Sequence, residues 1–431
     1  MSKVRRVAYY TDIQHRQDVG GKFTIKETKT DVGSFSFTRG ASEAVVDVEK
    51  KCLEDHPMDP QRLRMVHSLV LSLGFRDGFK LVQSRPCSSA DLQVYHSKEY
   101  LDFLCSVTHK KILSGEIPSD ETHVFNIGPV ADTVDCTAFE GIWDFNRLVA
   151  GASLDAAHML RTGQTDIAIN WSGGLHHAKS QNAAGFCYVN DCVLAIIELL
   201  HTYDRVLYID IDFHHGDGVE EAFYITDRVC TLSLHRFGPK RVFPGTGDVT
   251  DTGDGLGKYH SINVPLLGGI GDETYVKLFE EILHAVVKKF KPDCVVLQAG
   301  ADSLVGDSVG LENGCFNLST RGHGECVRLV RDLNLPLLVL GGGGYAKTSV
   351  AKCWAIETAI LCGMDDSLPS TVPKSDHYFS EYKDKSLHVT GRKDAVDFNS
   401  PGRIKQIRDM VLSNIDKMQR FKKKTTRSGS S

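Results

Sequence analysis

Arg205-Val-Leu-Tyr-Ile-Asp-Ile-Asp-Phe-His-His-Gly-Asp-Gly218 joins an apolar run to five acidic or imidazole side chains, Asp210, Asp212, His214, His215 and Asp217. The apolar part reads as a buried strand. At a strand's two-residue period, Asp210, Asp212 and His214 fall on one face. Taken singly, each has an ordinary reading, as a satisfied core histidine or an aspartate in a turn. Taken together, they would leave too much unpaired charge at the end of a buried strand unless a cation were present. The run is therefore expected to offer oxygen and nitrogen ligands to a divalent metal.

Working outward, apolar strands alternate with helical periodicity along most of the chain. Strands are expected at Val7–Tyr10, Asp166–Trp171, Arg205–Asp212, Val229–Leu234, Asp293–Gln298 and Pro336–Leu340. Helices are expected near 62–73, 141–160, 190–202, 271–289, 322–331 and 347–361, with an amphipathic stretch near 404–418 that could dock on the main body. This pattern predicts an α/β fold, a single large three-layer α/β/α domain with a mostly parallel central sheet. Four strands lead into polar or glycine-rich stretches: 171–177, 210–218, 298–303 and Gly341-Gly-Gly-Gly-Tyr345. Ligands of open α/β sheets bind beyond the carboxyl ends of strands, so these four loops should meet. Residues 14–50 show little periodicity and read as a long loop or insertion.

Composition narrows the function classes. A chain of 431 residues with formal net charge -5 and pI near 6.4 is a poor candidate for broad, nonspecific nucleic-acid binding. Its 12 cysteines form no CxxC pair, and several sit in apolar runs, which points to a reducing compartment. The N-terminus lacks an apolar signal core, and no run of 18 apolar residues occurs, so a soluble intracellular protein is expected. Arg420–Arg427 is basic and reads either as a solvated terminus or as a nuclear import signal.

The chemistry follows from residue types. Two carboxylates and an imidazole suit zinc and leave a position for water or substrate. Asp212 and His214 are two such ligands; Asp302, after the turn Ala299-Gly-Ala301, is the best third. His176-His177 supplies imidazoles for proton transfer, with Asp210 and Asp217 available to orient them. Tyr345, placed by its glycines where a phenol would be exposed, could hydrogen-bond to a developing oxyanion. Together these groups make a metal-assisted hydrolase of an amide-like bond.

The motifs Gly173-Gly-Leu-His-His-Ala-Lys179, Gly185-Phe-Cys-Tyr-Val-Asn-Asp191, Tyr208–Gly218, Phe243-Pro-Gly-Thr-Gly-Asp248 and Leu340–Tyr345 resemble those of the class I zinc-dependent histone deacetylases. The likeness runs from about Asp55 to Leu387-His-Val. It implies an arginase/deacetylase-like fold, with a catalytic domain over 1–400, a divergent insertion at 14–50, and a C-terminal helix and basic tail over 401–431. The resemblance assigns Asp212, His214 and Asp302 to Zn2+, His177 with Asp217 to general base and acid work, and His176 with Asp210 to a neighbouring pair. Tyr345 would polarise the carbonyl. Gly185, Phe186 and Phe243 would line an acetyl-lysine tube, with Val309 near its mouth and Asp135 at its rim. Arg62 would lie on the acetate exit path. Asp210, Asp212, His214, Ser233 and Leu234 would hold a structural K+, largely through carbonyl oxygens.

The implied reaction is hydrolysis of acetyl-lysine on histone tails or other nuclear proteins, in the nucleus and, as a second compartment, the cytoplasm. A co-repressor-type complex is implied, with an altered interface because 14–50 and Phe237–Phe243 depart from the family pattern. No membrane association and no sequence-specific DNA binding are expected. Asp59, Ser308 and Thr348 stand where relatives carry basic residues for inositol phosphate, so that ligand is not expected. An inactive scaffold, an acetylpolyamine amidohydrolase and an arginase fit these residues less well.

Overall fold

Strands with near-continuous apolar sequence pair in parallel because helices cover both faces. In the computed structural model, which describes residues 5–11, 58–129, 136–238, 242–308 and 314–419, the main sheet has eight strands. They are β1 Val7–Thr11, β2 Lys80–Gln83, β3 Ile167–Asn170, β4 Val206–Asp210, β5 Val229–Arg236, β6 Ser261–Leu266, β7 Cys294–Gln298 and β8 Leu337–Leu340. Their order is β2-β1-β3-β8-β7-β4-β5-β6, and every pairing is parallel. The insertion at 14–50, Asp135, Val309 and the basic tail lie outside the described residues.

Alternation along each strand builds the two helix layers. Ile167, Leu207, Ile209, Val295, Leu297 and Val339 point into one core. That core also takes α1 Gln61–Ser72, α5 Asp272–Phe290, α6 Thr320–Arg331 and α7 Lys347–Cys362. Ala168, Tyr208, Val296 and Leu338 point into the other, with α2 Ile142–Arg161, α3 Asp191–Leu199 and α4 Asp217–Phe223. The last helix, α8 Pro401–Lys417, starts on a Ser400 cap and buries Ile407, Val411 and Ile415 at four-residue spacing against the first core, as its amphipathic sequence foretold. No helix among the described residues is long and apolar enough to cross a membrane.

Two features of the main sheet differ from the sequence reading. Strands β2 and β6 are additional and sit at the two sheet edges, where a short strand or one containing Pro265 is tolerated. Strand β4 stops at Asp210, so Asp212 and His214 are not strand residues sharing a pleated face. Side chains replace the ladder there: Asp210 accepts the Asp212 amide at 3.1 Å, Asp212 that of His214 at 2.9 Å, and Asp302 that of Phe213 at 2.9 Å.

Candidate metal centre and active site

The four strands that precede the polar loops are consecutive neighbours, β3-β8-β7-β4, at the middle of the sheet. Their last residues are in register: Asn170 opposite Leu340, Leu340 opposite Gln298, and Gln298 opposite Asp210. All four chains therefore leave the sheet at one level, and their loops converge above it.

Asp212, His214 and Asp302 meet there, buried, with candidate ligand atoms all within 4.8 Å of one another. His214 Nδ1 donates to Asp302 Oδ2 at 3.0 Å and faces Asp212 Oδ1 at 3.2 Å. Asp212 Oδ2 accepts from Gln298 Nε2 at 2.8 Å and from the Gly343 amide at 2.9 Å, which fixes its orientation. Burial and the charge of Asp212 push the Asp302 carboxyl up. Burial would lower His214, but hydrogen bonds to Asp212 and Asp302 outweigh it and raise the imidazole to about 10. The His214 imidazole thus stands between two carboxylates that favour positive charge at this point, the charge a divalent ion would bring. The backbone leaves room: a Cβ at Gly343 would lie 2.1 Å from Asp302 Oδ2. Two carboxylates and one imidazole, dry and already oriented, fit a divalent metal.

Two histidines flank this cluster, with ring centroids 3.9 Å apart. His176 Nδ1 donates to Asp210 Oδ2 at 2.8 Å, and the Tyr208 hydroxyl donates to the same oxygen at 2.7 Å. His177 Nδ1 donates to Asp217 Oδ1 at 2.7 Å, and Lys179 Nζ lies 2.6 Å from Asp217 Oδ2. Their environments part them. Burial opposes charge on His176, yet Asp210 and Asp212 raise it to about 9. Burial, then the adjacent His176 charge, drives His177 down to about 3. Burial alone would raise Asp217, but His177 and Lys179 hold it below the usual carboxylate range. Neighbouring imidazoles pushed in opposite directions are an acid–base pair separated by environment.

Aromatic rings form the rim. The Phe243 ring meets His177 edge-on at 4.9 Å and His214 at 6.3 Å, and Phe186 meets Tyr345 at 6.1 Å. Gly185 sits behind them; a Cβ there would lie 2.4 Å from His177 Cδ2 and 2.7 Å from Phe243 Cε1. Tyr345 is half-buried, not exposed at a glycine tip as its sequence suggested, and burial lifts its phenol well above the ordinary range. The reason is that Asp307 Oδ2 accepts the amides of Tyr345 at 2.7 Å and Ala346 at 3.0 Å, pulling the loop inward. Arg62, buried beneath, donates Nη1 to the Gly344 carbonyl at 2.8 Å and lies 5.3 Å over the Trp354 ring. Ser233 pairs with Asp210 across β4 and β5, with Leu234 next to it. Of the residues read from sequence, only Asp135 and Val309 are not placed. Gln298 and Asp307 are positioning residues the sequence reading missed; Gln298, a polar residue closing an apolar strand, carried a visible signal.

An α/β protein that gathers carboxylates and imidazoles over the carboxyl ends of parallel strands has the make-up of a metallohydrolase. Residues 56–361 match the family model described as the histone deacetylase domain. The chain is 47% identical over 369 residues to histone deacetylase 1 of Oryza sativa subsp. japonica, covering 85% of this chain and 67% of that one. It is 44% identical over 362 residues to human histone deacetylase 1, covering 84% and 72%. Against Arabidopsis thaliana histone deacetylase 9 the figures are 46% over 365 residues, 85% and 82%. The chain belongs to the histone deacetylase family, on its class I branch.

Proposed function

We propose that this protein is a zinc-dependent lysine deacetylase that hydrolyses N6-acetyl-lysine on histones and releases acetate. The observation that carries the reading is the buried Asp212-His214-Asp302 cluster standing beside two histidines, each bonded through Nδ1 to its own carboxylate. A zinc ion held by those three side chains supplies Lewis acidity toward the amide carbonyl and toward water. His177, its Nδ1 committed to Asp217, offers Nε2 as the base that accepts the proton of the attacking water. The same nitrogen returns that proton to the departing lysine amine. His176, bonded to Asp210 and raised in pKa by Asp210 and Asp212, stabilises negative charge in the site. Tyr345 donates its hydroxyl proton in a hydrogen bond to the carbonyl oxygen as charge develops there. Gly185, Phe186 and Phe243 bound a slot for the four-methylene stem, with Val309 and Asp135 assigned to its mouth by family likeness. Arg62 serves the acetate exit path. K+ is assigned to Asp210, Asp212, His214, Ser233 and Leu234.

A nuclear role in transcriptional repression, within a co-repressor-type complex, accords with the class I likeness and the basic tail. Purified protein should deacetylate acetyl-lysine histone peptides in preference to acetylpolyamines, and a chelator should stop it. Polyamine turnover exceeding peptide turnover would overturn the substrate assignment. Tyr345→Phe should lower kcat by about 10²–10³ with KM little changed, because a transition-state donor is removed; steady-state kinetics checks this. Lys347 Nζ lies 2.8 Å from Asp59 Oδ2 and donates to Gln61 Oε1 at 2.7 Å, so an internal carboxylate already neutralises it. Inositol hexakisphosphate should accordingly leave kcat unchanged in a titration against the purified enzyme.

A further inference from the structure

A second buried cluster lies behind the metal centre and has no part in the chemistry above. His323 on α6 faces Glu357 on α7, and neither side chain reaches solvent. His323 Nδ1 donates a short hydrogen bond to Glu357 Oε1, and the Cys353 thiol donates to the same oxygen at 3.3 Å. At its other end, His323 Nε2 donates to the Gly300 carbonyl at 2.9 Å. An imidazole that donates from both nitrogens is the protonated form.

Gly300 is linked by hydrogen bonds to one carboxylate ligand and precedes the other by two residues. Its amide donates to Gln298 Oε1 at 2.8 Å, and Gln298 Nε2 donates to Asp212 Oδ2 at 2.8 Å. A Cβ at Gly300 would lie 2.0 Å from Asp212 Oδ2, so this backbone passes directly against one ligand, two residues before the other, Asp302. From α7, Trp354 Nε1 donates to the neighbouring Ala299 carbonyl at 2.8 Å. The 299–300 backbone is thus held through its amide by β7 and through its carbonyls by α6 and α7.

Stability does not account for this pair. Removing two charges from water is costly, and apolar side chains of similar volume commonly do as well or better in such places. A buried pair bonded to the backbone that passes against one ligand and leads to the other points to orientation. We propose that the His323–Glu357 ion pair is a positioning device for the metal centre, fixing the Gly300 carbonyl so that Asp302 and, through Gln298, Asp212 present their oxygens to one ion. The proposal rests on the zinc reading above.

The test compares wild type with His323→Leu/Glu357→Leu, His323→Gln and Glu357→Gln. Melting of the metal-free protein, zinc affinity by chelator competition, and kcat are measured on each. The double variant replaces the pair by apolar volume and should melt near wild type while binding zinc about 10–100-fold more weakly, the usual cost of losing an outer-shell partner. His323→Gln keeps an N–H toward the Gly300 carbonyl and should recover most of that affinity. If the double variant does not fold, Glu357→Gln, which removes charge and keeps shape, should still show roughly tenfold weaker zinc binding. Zinc affinity within twofold of wild type in the folded double variant, or in Glu357→Gln where the double variant does not fold, would overturn the proposal alone. Wild type that binds no zinc would instead remove the metal reading beneath it. Two zinc ions per wild-type chain, falling to one in Glu357→Gln, would overturn positioning in favour of a second metal site at His323, Cys353 and Glu357.

Discussion

His177→Ala is expected to lower kcat about 10²–10⁴-fold, the range for loss of a positioned general base, while the protein keeps its zinc. His177 stands outside the ligand cluster: its Nδ1 is committed to Asp217, and its ring meets Phe243 edge-on. Burial and the neighbouring His176 charge keep it neutral, so at ordinary pH the base is already in its accepting form. Alanine removes the acceptor without removing a carboxylate or imidazole from Asp212, His214 or Asp302. The Phe186 and Phe243 side chains themselves remain, so KM should move less than kcat. Steady-state kinetics with a metal assay on the same sample separates the two quantities. Loss of zinc together with activity would show that a ligand had been taken for a base.

Asp302→Asn should do the reverse, losing zinc and turnover together. Asparagine has nearly the shape of aspartate and can still accept the Phe213 amide at its side-chain oxygen, so the loop after β7 need not rearrange. What disappears is one of the two carboxylates that face His214 and would draw a dication. Outer-shell changes alone cost about 10–100-fold in metal affinity, and loss of a ligand should exceed that. Zinc content after dialysis and residual activity should fall in proportion. Full activity with no zinc in this variant would break the link between the cluster and the reaction.

Much of this site could be read before any coordinates. Charged side chains closing the apolar run before Asp210 have few explanations other than a cation. Glycine-rich turns after three other runs marked where backbone must pass close to a ligand. Which strands neighbour one another was not legible, because parallel pairing joins residues such as Leu340 and Asn170 that are remote in sequence. Nor was the end of β4: a period-two reading carries on past Asp210, whereas the carboxylates there bond to the backbone and end the ladder. Asp307 and His323 escaped notice because each acts on a distant backbone, the first on the Tyr345 amide and the second on the Gly300 carbonyl. A polar residue that serves a remote main-chain group has no local sequence pattern. The half-buried place of Tyr345 has no sequence signal for the same reason.

X-ray absorption at the zinc edge on freshly purified protein tests the central assignment most directly. One zinc per chain, surrounded only by nitrogen and oxygen at about 2.0–2.2 Å, is the expected result, and Asp302→Asn should abolish the signal. A sulfur neighbour at about 2.3 Å would place the ion at Cys353 instead. An active preparation without zinc would contradict the account outright.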